Sequence, residues 1–344
     1  IKSAIFANYF LNVHFLASNV NPYLTMKSVT LLIPAYNEAD SLPVFYLKLR
    51  EFFKSQPLYD WHVLLVNDGS RDNTLQLMQA FHRDDPRFDY INLSRNYGKE
   101  IAMLAGFDHA HSDAVIVMDA DMQHPLSAVP EMLAEWENGF EDVYATRYID
   151  AQEGWFKRNS SRAYYRLLQK VTRVDIPADT GDFRLLDRRC VQALCQMRES
   201  QRNTKALYCL IGFKKKQIFY HQEQRQYGQT KGGFFRLFNL AIDGITSFTN
   251  APLRMSLILG LVVSFLAFLY MIFIIIKTLV WGDPVTGYPT LAVLILFSGG
   301  IQLIVLGILG EYLGRIFSES KHRPLYFVSD TSLDAEKQDA KCGD

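Results

Sequence analysis

Apolar runs of strand length recur along the first half of the chain, each followed by a polar cluster and then a stretch with helical periodicity. Ser28-Val-Thr-Leu-Leu-Ile33 is β-branched and apolar enough for a buried strand, and it runs into Pro34-Ala-Tyr-Asn-Glu38. An amphipathic helix is predicted from about Asp40 to Lys54. Trp61-His-Val-Leu-Leu-Val66 reads as a second strand, ending in Asn67-Asp-Gly-Ser70, with a helix from about Asp72 to His82. Tyr90-Ile-Asn-Leu93 leads into Ser94-Arg-Asn-Tyr-Gly-Lys-Glu100 and a helix to about His111. Such alternation of strand and helix predicts parallel βαβ units and a doubly wound sheet. Each polar cluster falls after a strand, at the sheet edge where open α/β folds hold ligands.

The fourth strand carries the densest chemistry. Val115-Ile-Val-Met118 ends in Asp119-Ala-Asp121-Met-Gln123. Residues two apart at a strand exit point the same way, so both carboxylates face one volume. Two hard oxygens plus an amide suit Mg²⁺ or Mn²⁺ with water and phosphate in the remaining positions. A plain acidic turn after a strand is the competing reading. No G-x-G-x-x-G follows the first strand and no G-x-x-x-x-G-K-[ST] occurs, which disfavours a dinucleotide site or a P-loop.

Beyond Gly154 the pattern turns basic. Arg158, Arg162, Arg166 and Lys170 line one helical face, read either as a solvated face or as a surface for lipid phosphate. Thr180-Gly-Asp-Phe-Arg-Leu185 follows as a turn and strand, then Lys214-Lys-Lys216 and Arg225-Gln-Tyr-Gly-Gln-Thr-Lys231. Gly233 to Asn250 is amphipathic at helical period, suiting a helix in a membrane interface or a packed core helix. Met255–Ile276 and Pro289–Gly310 are each 22 residues without a charge, long enough to cross a hydrocarbon layer of ~30 Å. Their outer flanks carry Arg254, Arg315, Lys321 and Arg323, which puts both termini and the large domain in the cytoplasm. Neither span holds an ionisable residue, so both read as an anchor rather than an ion path. The polar tail after Val328 is expected to be disordered. Residues 1–25 lack a cleavage-site pattern and are expected to be a non-native or loosely ordered extension ahead of Met26.

The 344 residues carry a formal net charge of zero, but the charges are unevenly placed. From Gly154 to Lys231 there are 17 Lys and Arg against 6 Asp and Glu, a net of +11. That block implies an anionic partner. It abuts the apolar spans and lacks any nucleic-acid-binding pattern, which excludes nucleic acid and favours phosphate or lipid headgroups. The four cysteines show no metal or disulfide spacing, as in a reducing compartment.

Taken in order, Pro34-Ala-Tyr-Asn-Glu38, Asn67-Asp-Gly-Ser70, Arg95-Asn-Tyr-Gly98, Asp119-Ala-Asp-Met-Gln123, Thr180-Gly-Asp-Phe-Arg-Leu185 and Gly228-Gln-Thr-Lys231 resemble the family 2 glycosyltransferases acting on polyprenyl phosphates. That group includes dolichol-phosphate mannose synthases and bacterial bactoprenol glucosyltransferases. Gly307-Ile-Leu-Gly-Glu-Tyr-Leu-Gly-Arg315 is most similar to the second branch, and the resemblance spans Met26 to about Tyr326. It departs at Asn67, where Asp is frequent, and at Thr230, where Ser is. Processive synthases usually carry Q-x-x-R-W; here Gln226 stands where the Trp would be.

The resemblance implies a GT-A fold, a Rossmann-like α/β sheet of mostly parallel strands in residues 26–232. An amphipathic helix (233–252), two transmembrane helices (253–277 and 288–311) and a cytoplasmic tail (312–344) follow. It implies an inverting, metal-dependent transfer of a hexose, with UDP-glucose the favoured donor, to polyprenyl (undecaprenyl) phosphate at the inner face of the plasma membrane. Pro34, Tyr36, Glu38, Asp68, Asp119, Ala120 and Arg147 would hold the nucleotide sugar. Asp121 and Gln123 would ligate Mg²⁺ or Mn²⁺, and Asp119, Asp121 and Asp182 would act at the reacting centre. Arg162, Arg184, Arg225 and Lys231 would meet acceptor and phosphate groups. A separate flippase, a downstream transferase and a homo-oligomer are expected partners. The alternatives are GDP-mannose or UDP-N-acetylglucosamine as donor, diacylglycerol or protein as acceptor, or a non-enzymatic nucleotide-sugar sensor.

Overall fold

The computed structural model describes residues 26–148, 180–200, 202–221 and 287–333, with scattered positions between 258 and 280. Strand β1 (Ser28–Ala35) is followed by helix α1 (Leu42–Ser55), β2 (Asp60–Asn67), α2 (Thr74–Asp84), β3 (Phe88–Leu93), α3 (Lys99–His109) and β4 (Ala114–Val117). A 3₁₀ turn leads into α4 (Val129–Glu137), then β5 (Asp142–Arg147), β6 (Thr180–Asp187), α5 (Arg188–Gln196), α6 (Thr204–Leu210) and β7 (Lys215–Tyr220). Helix α7 (Tyr288–Ser320) and strand β8 (Val328–Thr331) end the described chain.

The strands form one eight-stranded sheet in the order β7-β5-β6-β4-β1-β2-β3-β8. β1 pairs in parallel with β2 and β4, and β6 and β8 run against their neighbours. The mostly parallel α/β sheet agrees with the GT-A class expected from the motifs. Alternation along β1 explains why its sequence is apolar throughout. Val29, Leu31 and Ile33 enter a core built with α1, α2 and α4, whereas Leu32 enters the core on the opposite face with α3 and α5. On that second face Gly106 lets α3 approach closely, since a Cβ there would stand 2.0 Å from Leu32 Cδ1.

Two features of the C-terminal region differ from expectation. Helix α7 runs to Ser320, nine residues past the expected end at 311. The tail is also not disordered throughout, because Val328–Thr331 pairs antiparallel with β3 and closes that edge of the sheet. The catalytic sheet therefore draws its last strand from beyond residue 232. The free β3 edge supplies backbone partners that Val-Ser-Asp-Thr, with no apolar alternation, does not advertise.

Phe297–Ser320 within α7 is long and apolar enough to cross a membrane, with mean hydropathy 1.4. Most of the expected first span and the whole amphipathic segment 233–252 lie outside the described residues. The described positions from Ile258 to Val280 are helical or exposed apolar, including Phe265, Leu266 and Phe273.

Candidate active site

A cavity of about 230 Å³ opens at the C-terminal edge of the sheet. Its wall comes from the ends of β1 and β2, the start of α3 and the exit of β4: Pro34, Tyr36, Glu38, Asp68, Lys99 and Asp119 to Asp121 among them. Six of the residues expected at the nucleotide sugar therefore meet in one place, and Asp121 joins them.

Backbone-to-side-chain bonds staple the loops around it. The Asn37 amide donates to Ser70 Oγ at 2.9 Å, and Asn37 Oδ1 accepts from the Arg71 amide at 2.8 Å. Asn37 takes φ 56°, a left-handed turn that asparagine tolerates. Glu38 donates its amide to Thr74 Oγ1, and its carboxylate accepts from Ser41 Oγ at 2.6 Å. Gly69 is required by its φ of 63° and by contact, because a Cβ would lie 2.4 Å from the Arg95 carbonyl carbon. Asp68 then accepts from the Tyr97 and Gly98 amides at 2.7 and 2.9 Å, fastening the chain that enters α3. Burial pushes the Asp68 carboxyl up, against the pull of those two amides. Tyr36 stands 40% exposed in the cavity wall.

At the β4 exit, Met122 takes φ 58° with its side chain buried, which turns the chain sharply between Asp121 and Gln123. Asp121 Oδ1 accepts from the Gln123 amide at 3.2 Å, and the Asp119 amide donates to His124 Nδ1 at 3.2 Å. His124 stacks on Phe183 with centroids 4.6 Å apart. Burial holds its pKa below the usual range, consistent with a neutral ring that accepts at Nδ1.

Asp182 lies at the start of β6, which enters the sheet at this same edge because it runs against β4. It is 8% exposed, and Lys99 stands between it and Asp119. Burial alone would raise the Asp182 carboxyl, but Lys99, with Lys205, holds it below the ordinary value. Burial likewise opposes the Lys99 charge, yet the two carboxylates raise its pKa above the usual range. Arg147 ends β5 on the same sheet edge. Arg162, Arg225 and Lys231 lie outside the described residues.

One assignment needs correction. Arg184 does not present its guanidinium to the cavity as an acceptor-phosphate ligand. It is 3% exposed, pairs with Asp142 at 3.1 Å and packs 3.6 Å from the Tyr208 ring centroid. Two residues farther along β6 than Asp182, it sits opposite Val117 inside the sheet.

Lys99 and His124 were not singled out from sequence. Lys99 did carry a signal: a cation in the first turn of a helix opposes the macrodipole and calls for acidic partners. His124 carried none, since its role depends on a turn of the backbone.

For a divalent ion, Asp121 offers a hard carboxylate at the cavity wall, with the Gln123 amide two residues farther along the same turn, and the described residues contain no cluster of three or more His, Cys, Asp or Glu. The donor set fits Mg²⁺ or Mn²⁺ completed by diphosphate and water, and not a closed all-protein cage.

Residues 30–195 match the model of glycosyl transferase family 2, and residues 251–316 match the GtrB C-terminal hairpin. An uncharacterized glycosyltransferase of Synechocystis sp. is 42% identical, covering 88% of this chain and 95% of its own. The bactoprenol glucosyl transferase of Shigella phage SfV is 41% identical over 87% of this chain and 97% of its own. The prophage bactoprenol glucosyl transferase homolog of Escherichia coli K12 is 39% identical, at 87% and 98%. Among solved structures, mannosyl-3-phosphoglycerate synthase from Rubrobacter xylanophilus aligns with TM-score 0.44 and 14% identity over 63% of this chain and 71% of its own. With the family model matched over residues 30–195 and relatives near 40% identity covering most of the chain, the chain belongs to glycosyl transferase family 2 and is a glycosyltransferase.

Proposed function

We propose that this transferase moves glucose from UDP-glucose to a polyprenyl phosphate at the cytoplasmic face of a membrane, with inversion at the anomeric carbon. The observation that carries the reading is the convergence of Tyr36, Asp68, Asp119 and Asp121 on one cavity in a chain that also bears an apolar helix of 33 residues. The names of relatives near 40% identity support the acceptor class and the sugar.

In this reading the loops after β1 and β2 bind the nucleoside, with Tyr36 at its ring. Asp121 and Gln123 hold Mg²⁺ or Mn²⁺, which supplies charge stabilisation to the departing diphosphate. The lipid phosphate is a phosphomonoester whose second pKa is ~6, so it is largely ionised at neutral pH without a strong base. The chain's task is then to align two anions in line and to offset their repulsion. Asp182 orients a sugar hydroxyl beside the reacting carbon. Apolar helix α7, with a preceding partner span, anchors the domain beside its lipid. Two spans are too few to enclose a flipping path, so a separate flippase and a downstream transferase take the product onward.

The test uses the purified chain in detergent with polyprenyl phosphate, Mg²⁺ or Mn²⁺, and labelled UDP-glucose, UDP-N-acetylglucosamine, UDP-galactose or GDP-mannose. Label partitioning into the organic phase from UDP-glucose, absent in Asp121→Asn, supports the reading. Transfer from another donor alone corrects the sugar, and transfer only to diacylglycerol or protein corrects the acceptor. Nucleotide binding with no transfer to any acceptor would favour a sensor.

A further inference from the structure

We infer that Lys99 is a positioning residue for the transfer, fixing Asp182 against Asp119 from its own place in the cavity wall. The inference rests on the transferase reading and adds to it a residue outside the motif assignments. Lys99 Nζ lies 2.5 Å from Asp119 Oδ1 and 2.8 Å from Asp182 Oδ2. A single ammonium thus joins the β4 exit, where the metal-binding residues begin, to the start of β6.

Three observations give this bridge a purpose beyond charge balance. Lys99 is the first residue of α3, where the helix dipole disfavours a cation, so the two carboxylates have to outweigh that cost. The chain leading into it is itself fixed, since the Tyr97 and Gly98 amides both donate to Asp68. From Asp68 the contacts thus run through the Tyr97–Gly98 backbone to Lys99 and on to Asp119 and Asp182, linking the β2 loop to β6. Finally, Asp182 Oδ1 is buried and meets no donor among the described residues. A buried acceptor of this kind is normally satisfied. With Oδ2 occupied by Lys99, Oδ1 is the oxygen left for a ligand hydroxyl. Lys205 and Arg184 also act on Asp182 electrostatically and Glu100 opposes it, all at longer range than Lys99. Removing the ammonium leaves Asp119 and Asp182 as neighbouring anions with nothing to set their separation.

The experiment compares Lys99→Met, Lys99→Gln and Lys99→Arg with the native chain in the organic-phase transfer assay, alongside thermal unfolding and nucleotide titration. A misplaced reacting group costs on the order of 100-fold, and a group acting only through alignment in the transition state lowers kcat with little change in KM. The expected result is a fall of about that size in kcat for Lys99→Met and Lys99→Gln. KM for the donor should stay within about threefold, and Lys99→Arg should recover about tenfold of the loss. The double variant Lys99→Met/Asp182→Asn is expected to lose less than the product of the two single losses, because the Lys99–Asp182 contact is removed in both. Lys99→Gln keeps the stem and carries the test should Lys99→Met unfold. Unchanged kcat, a loss confined to KM, or additive effects in the double variant would each overturn the inference. In all three the native chain still transfers sugar; an inactive native chain would instead sink the transferase reading itself.

Discussion

The hydroxyl of Tyr326 donates to Asp108 Oδ2 at 2.7 Å, tying the segment after α7 to the far end of the helix that begins with Lys99. Arg198 reaches the same oxygen at 2.6 Å, and Asp108 is only 3% exposed. One helix thus carries a cavity residue at its start and the junction with α7's exit at its end. Tyr326→Phe removes a donor from a buried carboxylate, a change worth about 1–3 kcal/mol. A lower Tm is expected in detergent-solubilised protein, with kcat little altered. An unchanged Tm would mean that water replaces the lost donor.

Asp68 has both carboxylate oxygens committed to the amides that enter α3. In Asp68→Asn one of the two acceptors is lost, and in Asp68→Ala both are. The donor Kd is expected to rise about tenfold for Asn and further for Ala, on a scale of 1.4 kcal/mol per tenfold. Titration calorimetry with the free nucleotide reads this directly, and equal affinity in all three chains would contradict it.

Chelation separates the ion from the fold. Because only Asp121 and Gln123 are proposed as protein ligands, stripping divalent ions should abolish transfer while leaving Tm within about a degree, unlike a structural metal whose binding energy is folding energy. Adding back Mn²⁺ or Mg²⁺ should restore the rate. A large Tm loss on chelation would point to a metal built into the fold.

Acid sensitivity is expected away from the cavity as well. Arg87 donates through Nε and Nη2 to Asp85, at 2.9 and 2.5 Å, and holds that carboxyl below its ordinary value. A depressed folded pKa means a contribution present above the unfolded value of ~3.9 and lost as pH falls through the folded one. Arg87 is 42% exposed at its side chain, so screening reduces the effect to about 1 kcal/mol. Asp85→Asn should lower Tm at pH 7, by an amount that shrinks as pH falls below the unfolded value of ~3.9. A Tm gap that persists at low pH would rule out the charge as its source.

The parallel half of the sheet was legible because its strands are buried on both faces and read as apolar runs, as Leu31 and Leu32 in opposite cores illustrate. The cavity was legible because each motif follows a strand. What escaped depends on contacts between distant segments. Lys99 gains its role from a carboxylate on β6, and β8 gains its place from the unpaired side of β3. Arg184 was misassigned because a basic residue two positions from Asp182 gives no hint of which lies at the edge. Only the antiparallel direction of β6 puts Asp182 at the sheet edge beside Lys99 and Arg184 within the sheet.

Strand β8 also sets an order of events during synthesis. It is encoded after α7, so the ribosome releases the apolar helix before it releases the segment that closes the sheet at β3. Until then β3 offers an open edge, with Tyr90 and Asn92 lacking the partners that Ser332, Asp330 and Ser329 later supply. A nascent chain stalled before residue 328 would expose that edge to other chains. The sheet of the catalytic domain is therefore completed only after α7 has been made.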